Sequence, residues 1–188
     1  MAQIDKPIAD AVDEYRHADG LVIDLRGNPG GLAAMVQGIA GQFMTDDTAV
    51  LGKMRMRDTE LTFHPNPRLS TSDGRRVLPF SGPVAVLVDD LTGSASECFA
   101  AGVQSLGRVR AFGRQTMGAA LPAQTRRLPD GDVLMDVVGD FVTSTGRRVE
   151  GPGVVPDEIV ALTPGALKGG HDPDLDAALA WIDRARGK

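Results

Sequence analysis

A serine follows a buried-looking strand at a place where the residue types suggest covalent chemistry. The apolar run Val84–Asp89 reads as a strand, and residues 92–97 then read Thr-Gly-Ser-Ala-Ser-Glu before a helical pattern. A strand that passes through a tight turn into a helix exposes a serine at the turn and places the first free N–H of the helix beside it. Ser94 is therefore the candidate nucleophile, and the Ala95 N–H is a candidate oxyanion donor.

The same serine has a purely structural explanation. Ser94 and Glu97 have the Ser-x-x-Glu spacing of a capping box, in which each side chain accepts a hydrogen bond from the other residue's backbone N–H. Capping is the commoner explanation for such a tetrapeptide in isolation. The preceding strand favours the nucleophile, and the residues around Ser94 leave both explanations open.

A second strand-to-helix turn, Gly27–Gly31, reads Gly-Asn-Pro-Gly-Gly. The free N–H groups at a helix start favour negative charge, and glycine lets the backbone approach a reacting group closely. The turn could hold a phosphate, form an oxyanion hole through Gly30 and Gly31, or simply connect a strand to a helix. It matches neither the dinucleotide-binding glycine pattern nor a Walker loop with its lysine.

The elements that must position these turns are predicted by hydrophobic periodicity as two βαβ units. Their predicted strands and helices are, in order, Leu21–Leu25, 32–44 and Ala49–Met54, then Val84–Asp89, 94–106 and Arg108–Phe112. Helical patterns also begin and end the chain, at 5–17 and Asp174–Arg186. Between the second unit and the last helix, extended segments Ala123–Leu128 and Val133–Thr143 flank a turn at 129–131.

Composition limits the classes of function. The chain has 188 residues, enough for one domain with a substantial core, a net charge of −5 and a pI of about 5.1. The acidic balance argues against nucleic acid or an anionic membrane as the main partner. The single cysteine, Cys98, excludes an internal disulfide and a cysteine-based zinc site. No apolar run approaches the roughly 18 residues of a membrane span, and no signal peptide is recognisable.

Four segments occur together in the order and spacing of one protein family. They are Leu21–Gly31 (LVIDLRGNPGG), Gly93–Ala101 (GSASECFAA), Leu106–Gly118 (LGRVRAFGRQTMG) and Gly146–Asp157 (GRRVEGPGVVPD). With them the chain resembles the S41 peptidases, which include the C-terminal processing (tail-specific) proteases and the tricorn core protease. The resemblance implies an α/β fold of the crotonase/ClpP-like type, with a core of βαβ units, a mixed sheet and flanking helices. The resemblance covers roughly residues 5–160, and the catalytic core is expected over 1–164. The pattern of the chain itself predicts a polar excursion at about 55–80 and, over 165–188, a glycine-rich linker and a C-terminal helix packed on the core.

The resemblance assigns roles to the two turns. Ser94 would be the nucleophile, and the Gly30–Gly31 turn and the Ala95 N–H would bind the oxyanion. The implied activity is that of a serine endopeptidase core that cuts peptides or unfolded protein segments through an acyl-enzyme. No metal or organic cofactor is implied.

Two departures from the lysine-dependent branch of the family indicate the type of base. That branch has a lysine in a Thr-Phe-Gly-Lys-Gly segment, and the matching residues 116–120 read Thr-Met-Gly-Ala-Ala, with Ala119 at the lysine position. Alanine cannot take a proton, so a Ser/Lys dyad is excluded at that position. The tricorn-like branch uses Ser, His and Glu, and Glu150 stands at its glutamate position, where it would orient a histidine that deprotonates Ser94. The alternative for Glu150 is a solvated loop carboxylate paired with an arginine at 147–148.

None of the three histidines stands where the tricorn-like branch has its own, ahead of the Leu21–Gly31 segment. His17 falls on the leading helix, His64 in the polar excursion and His171 in the tail linker, and all three are expected at the surface. We expect the catalytic histidine upstream of Met1. The 188-residue piece is then inactive or nearly so by itself, because general-base assistance is typically worth about 10²–10⁴-fold.

The remaining expectations concern the full-length protein and two alternatives to the peptidase function. A longer exported protein, periplasmic or extracellular, with a PDZ-like domain upstream is expected, whereas nucleic-acid binding and membrane insertion are not; the oligomeric state stays open. One alternative is a non-catalytic peptide- or ligand-binding module on the same scaffold. The other is an acyl-CoA enzyme, which would need basic residues for the CoA phosphates, such as Arg108, Arg110 and Arg114.

Overall fold

The element boundaries come from a computed structural model, which describes residues 2–71 and 73–187. The helices in this part of the chain are α1 Ala2–Glu14, α2 Ala34–Ala40, α3 Ala95–Ser105, α4 Pro164–Lys168 and α5 Pro173–Arg186. The strands are β1 Leu21–Asp24, β2 Gly52–Met56, β3 Glu60–Phe63, β4 Val84–Val88, β5 Arg110–Gly113, β6 Ala123–Arg127, β7 Val133–Val137, β8 Gly139–Thr143 and β9 Glu158–Ile159. None of the described helices is long and apolar enough to cross a membrane.

The core is built on a four-stranded parallel sheet in the order β1-β4-β5-β9. All five residues of β4 are buried, and its side chains alternate between two apolar clusters. Val84 and Val86 pack with residues of α2 and α3, whereas Ala85 and Leu87 pack with residues of α5. Helices on both faces explain the uninterrupted apolar run of this strand. The predicted α/β class with flanking helices is confirmed.

The second predicted βαβ unit is present, because β4, α3 and β5 follow one another and the two strands pair in parallel. The prediction of the first βαβ unit is wrong for its second strand. β2 covers Gly52–Met56 rather than Ala49–Met54, and it pairs antiparallel with β3 and β8 in a separate sheet. β1 pairs instead with β4, so the crossover between them contains α2 and the β2–β3 hairpin. The alternating Lys-Met-Arg-Met of residues 53–56 is typical of a strand with one exposed face, which a parallel core strand rarely has.

The polar excursion at about 55–80 packs against the first two helices. Asn66 donates its N–H to the Gln37 carbonyl at 3.0 Å. The Arg68 guanidinium donates to the Ala9 carbonyl and to the Asp13 carboxylate, both at 2.8 Å. These contacts attach the excursion to the face of the sheet that carries α1 and α2.

The extended segment predicted over Val133–Thr143 is two strands in different sheets. β7 pairs with β6 in a two-stranded sheet, and β8 pairs with β2. The break falls at Val138, whose N–H donates to the Pro122 carbonyl at 2.9 Å. A single residue therefore separates the β6–β7 hairpin from β8, which belongs to the sheet of β2.

The C-terminal segment contains more helix than the predicted linker allowed, since α4 lies within it. The last helix agrees with its prediction to within one residue and packs on the core through Ala178 and Ile182, which contact β4 and β5. Trp181 lies against Phe112 with a centroid separation of 5.9 Å.

The buried thiol of Cys98 provides a test of this packing. Burial and the neighbouring Glu97 charge raise the pKa of Cys98 to about 12. Because the thiolate is the reactive form, native protein at pH 8 is expected to react with DTNB at least ~100-fold more slowly than protein unfolded in guanidinium, where the thiol pKa is near ~8.5. The measurement is the rate of absorbance change at 412 nm, and equal rates in the two states would contradict the buried position of α3.

Candidate active site

Ser94 lies in a strained backbone conformation at the turn between β4 and α3. Its φ is 51° and its ψ is −121°, and it is the only non-glycine residue with positive φ in the described ranges 2–71 and 73–187. A conformation of this kind costs about 1–3 kcal/mol and persists only where the surrounding structure imposes it. Ser94 and Glu97 do form the capping box, but an ordinary N-cap residue has β-region angles, so capping by itself does not explain the conformation of Ser94.

The Gly27–Gly31 turn contacts the Ser94 turn directly. A Cβ on Gly30 would lie 2.6 Å from the Ser94 Cβ and 2.8 Å from the Ala95 nitrogen, and the φ of Gly30 is 102°. Any side chain at this position would therefore clash with the candidate nucleophile. The Gly93 N–H also donates to the Asn28 carbonyl at 3.0 Å, which holds the two turns side by side.

Two backbone N–H groups at this contact remain available. The Gly30 N–H donates to Asn28 Oδ1 at 3.0 Å. The N–H groups of Gly31 and Ala95 donate to no other residue in the described part of the chain. Both residues line the same cavity, so their N–H groups can donate to an anionic oxygen placed there.

The cavity next to these donors is apolar and has a volume of about 560 Å³. It lies between α1, β1, α2 and α3, and its lining includes Val12, Ile23, Met35, Val36 and Phe99. A pocket of this size and character accepts an apolar group rather than a charged one.

Asp89 and Thr92 connect the ends of β1 and β4 by hydrogen bonds. Neither residue was predicted from the sequence. Asp89 Oδ1 accepts the Gly27 N–H and the Leu91 N–H, both at 3.0 Å. The Thr92 hydroxyl, fully buried, donates to the Leu25 carbonyl at 2.8 Å. An Asp at the end of a strand with Thr three residues later is a local signal for side-chain-to-backbone bonding, but its partners near Gly27 are distant in sequence.

Glu97 does much more than complete a capping box. It has no exposed surface, and one carboxylate oxygen accepts hydrogen bonds from the Ser94 N–H at 3.1 Å and the Ala119 N–H at 3.0 Å. The other oxygen accepts from the Gly118 N–H at 2.7 Å and from the Thr116 hydroxyl. Four donors thus compensate a buried carboxylate, and they fix residues 116–119 against the start of α3.

Ala119, predicted to lie at the family's lysine position, is in backbone contact with the candidate nucleophile. The Ser94 N–H donates to the Ala119 carbonyl at 3.0 Å. The residue after it, Ala120, donates its N–H to Glu150 Oε2 at 2.7 Å, and the Leu121 N–H donates to the same oxygen at 3.1 Å. The fold therefore places Glu150 within one residue of the segment that touches Ser94.

The alternative for Glu150 as a partner of the neighbouring arginines is not observed. Arg148 pairs with Asp140 at 2.7 Å, and Arg147 donates to Gln104 Oε1 at 3.4 Å. Glu150 is half-buried, and its bonds to backbone N–H groups occupy one of its two oxygens.

The three histidines lie away from these residues. His17 is exposed beyond the end of α1, and the His64 ring bonds through Nδ1 to the Ala49 carbonyl at 2.9 Å. His171 is exposed, with Asp176 at 3.9 Å. Within the described residues none of the three has a recorded contact with Ser94 or Glu150, and the position of the catalytic histidine stays a prediction.

A comparison with known proteins decides the family. The sequence pattern of Peptidase family S41 matches residues 1–160. The chain belongs to peptidase family S41. The family predicted from the four sequence segments is therefore confirmed.

Curated S41-type relatives are much longer than this chain. A CtpA-like serine protease of Staphylococcus haemolyticus is 30% identical over 148 residues, which cover 77% of this chain and 28% of the relative. A CtpA-like serine protease of Staphylococcus aureus is 29% identical over 144 residues, with 75% and 28% covered. The chain thus spans about 28% of the length of these relatives.

Two solved protease structures have a fold similar to that of this chain. The photosystem II D1 C-terminal processing protease superposes with a TM-score of 0.67 at 25% identity, over 94% of this chain and 42% of that one. The tricorn protease superposes with a TM-score of 0.64 at 27% identity, over 89% of this chain and 15% of that one.

Replacing Glu97 by Gln tests its role as the common acceptor. The amide nitrogen of Gln would face backbone N–H donors, so we expect Glu97→Gln to lower the free energy of unfolding by about 2–4 kcal/mol. Urea denaturation measures this value. Glu158→Gln is the matched control, because Glu158 is a partly exposed partner of Arg110 at 3.5 Å and its loss is expected to change stability by less than ~1 kcal/mol. Equal losses in the two variants would contradict the role of Glu97.

Proposed function

We propose that this chain carries the nucleophile side of a serine endopeptidase that works through an acyl-enzyme. The observation that carries the proposal is the strained Ser94 turn packed against Gly30, with the Ala95 and Gly31 N–H groups free beside it. Membership in a peptidase family makes peptide bonds the natural target of such a serine.

In the proposed reaction the base takes the Ser94 hydroxyl proton as the Ser94 oxygen attacks the carbonyl carbon of the scissile peptide bond. The carbonyl oxygen becomes negatively charged and accepts hydrogen bonds from the Ala95 and Gly31 N–H groups. Gly30 permits this arrangement because it has no side chain, and its own N–H is held by Asn28. The C–N bond then breaks as the amine leaves with a proton from the base, and water hydrolyses the Ser94 ester.

The proposed base is a histidine supplied from outside residues 1–188 and oriented by Glu150. Ala119 occupies the family's lysine position and has no proton acceptor. Glu150 is held by the N–H groups of Ala120 and Leu121, next to the backbone that contacts Ser94, and it has one oxygen left for an imidazole N–H. A carboxylate in this role holds the imidazole tautomer and stabilises the imidazolium.

The proposed substrates are peptides or unfolded protein segments. The apolar cavity of about 560 Å³ beside the oxyanion donors is suited to an apolar side chain next to the scissile bond. The CtpA-like relatives, of which this chain covers about 28%, support the proposal of a longer, exported protein. An upstream PDZ-like domain is part of the same proposal.

The arginines that an acyl-CoA enzyme would need are engaged elsewhere. Arg108 donates to the carbonyls of Phe43, Phe80 and Gly82. Arg110 pairs with Glu158, and Arg114 pairs with Asp174. No observation favours an acyl-CoA enzyme. A non-catalytic binding module is the other outcome of the fluorophosphonate experiment.

Fluorophosphonate labelling tests two proposals: that Ser94 is the nucleophile, and that the general base lies outside residues 1–188. In the longer natural protein, Ser94 is expected to be labelled, and Ser94→Ala is expected to abolish labelling, as measured by intact mass. The 188-residue chain is expected to react at least ~100-fold more slowly, because the proposed general base lies outside it. A longer protein that is unlabelled and has no histidine ahead of residue 1 would instead be a binding module.

The role of Glu150 has its own test in the longer protein. Glu150→Gln is expected to lower kcat by about 10²–10⁴-fold, because the amide cannot stabilise an imidazolium. Glu158→Gln serves as the control and is expected to leave kcat within ~2-fold. A Glu150→Gln enzyme with unchanged kcat would show that Glu150 is a structural loop carboxylate.

A further inference from the structure

A buried carboxylate at the start of α5 contacts two arginines from different parts of the chain. Asp174 has no exposed surface. Both of its oxygens lie 3.1 Å from Arg114 Nη1, and Oδ2 also lies 3.1 Å from Arg26 Nη1. Buried ion pairs of this kind depend on both partners, because removing one leaves an uncompensated charge in the interior.

Arg26 uses all of its donors in this cluster. It bonds to both oxygens of Asp24, at 3.0 and 2.7 Å, to both oxygens of Asp172 at 2.7 Å, and once to Asp174. Arg26 lowers the pKa of the Asp24 and Asp172 carboxyls below their usual range, so both are ionised at neutral pH. The guanidinium therefore has one orientation, which Asp24 of β1 and the N-terminus of α5 determine together.

The candidate site is formed by two segments, and each of the two arginines lies just before one of them. Arg26 immediately precedes the Gly27–Gly31 turn. Arg114 follows β5 and precedes the segment 116–119, which is bound to Glu97 and Ser94. Asp174 thus connects the starts of both segments through a single side chain.

α5 also has apolar contacts with the core that do not involve Asp174. Ile182 and Ala178 pack against β4 and β5, and Asp172 caps the helix by accepting the Leu175 N–H at 3.2 Å. The charged contacts at Asp174 are directed instead at the two segments. Asp172 and Asp174 also lie beyond residues 1–160, which the S41 pattern matches.

We propose that Asp174 is a positioning residue, which holds the Gly27–Gly31 turn and the 116–119 segment in the arrangement that Ser94 needs. Through it the C-terminal helix is part of the active-site architecture rather than only a cover for the sheet. The inference rests on the proposed function for its catalytic consequence, but its effect on the two segments is independent of that function.

Hydrogen exchange of the 188-residue chain tests the positioning directly. In Asp174→Asn the amides of Gly27, Gly30, Gly118 and Ala119, all hydrogen-bonded in the wild type, are expected to exchange at least ~10-fold faster. Those of β4 are expected to be unchanged. Asp176→Asn is the control on the same helix, since Asp176 is 61% exposed. Faster exchange confined to α5 would overturn the proposal.

Kinetics of the longer protein separate positioning from folding. At a temperature where each variant is folded, Asp174→Asn is expected to lower kcat at least ~10-fold with KM changed less than ~3-fold. Ile182→Val loosens the packing of α5 without touching Arg26 or Arg114 and is expected to leave kcat within ~2-fold. Equal kcat values for wild type and Asp174→Asn would overturn the catalytic part. A wild-type protein without peptidase activity would refute the proposed function, while hydrogen exchange would still decide whether Asp174 positions the segments.

Discussion

The candidate site depends on the hydrogen bonds that the carboxylate of Glu97 accepts. A charge with no exposed surface requires donors, and here all four come from two places: the turn at Ser94 and the segment 116–119. Because each oxygen takes two donors, neither segment can move without leaving the carboxylate partly unsatisfied. The start of α3, the candidate nucleophile and the backbone at Ala119 therefore have one relative arrangement.

The strained conformation of Ser94 is tolerable within this arrangement. Its N–H is shared by Glu97 and the Ala119 carbonyl, and its Cβ lies against Gly30. Asp89 and Thr92 fix the other turn, so the serine is constrained from both sides. Strain of this size persists only where several contacts impose it. The same contacts leave the Gly31 and Ala95 N–H groups at the cavity without a partner among residues 2–71 and 73–187.

The backbone contacts of Ala119 are relevant to the proposed base. The backbone of Ala119 touches Ser94, so a longer side chain at this position would begin next to the serine. With alanine there, the neighbouring N–H groups of Ala120 and Leu121 bind Glu150. Because the chain spans about 28% of its curated relatives, the partner of Glu150 is proposed to come from the rest of a longer protein.

The sequence by itself determined the α/β class, the second βαβ unit, the turn that presents Ser94 and the family. These features are local: an apolar run, a small-residue turn and four short segments in order. The role of Glu150, predicted from its place before a glycine-rich loop, stays a prediction. Only the tertiary structure decided that β2 joins an antiparallel sheet, that Glu97 binds residues about 20 positions away, and that Asp174 reaches Arg26 across 148 positions. The reason is physical: a local pattern specifies the conformation of its own segment, whereas the partners of a strand edge or a buried charge depend on which distant segments the completed core brings within hydrogen-bonding distance.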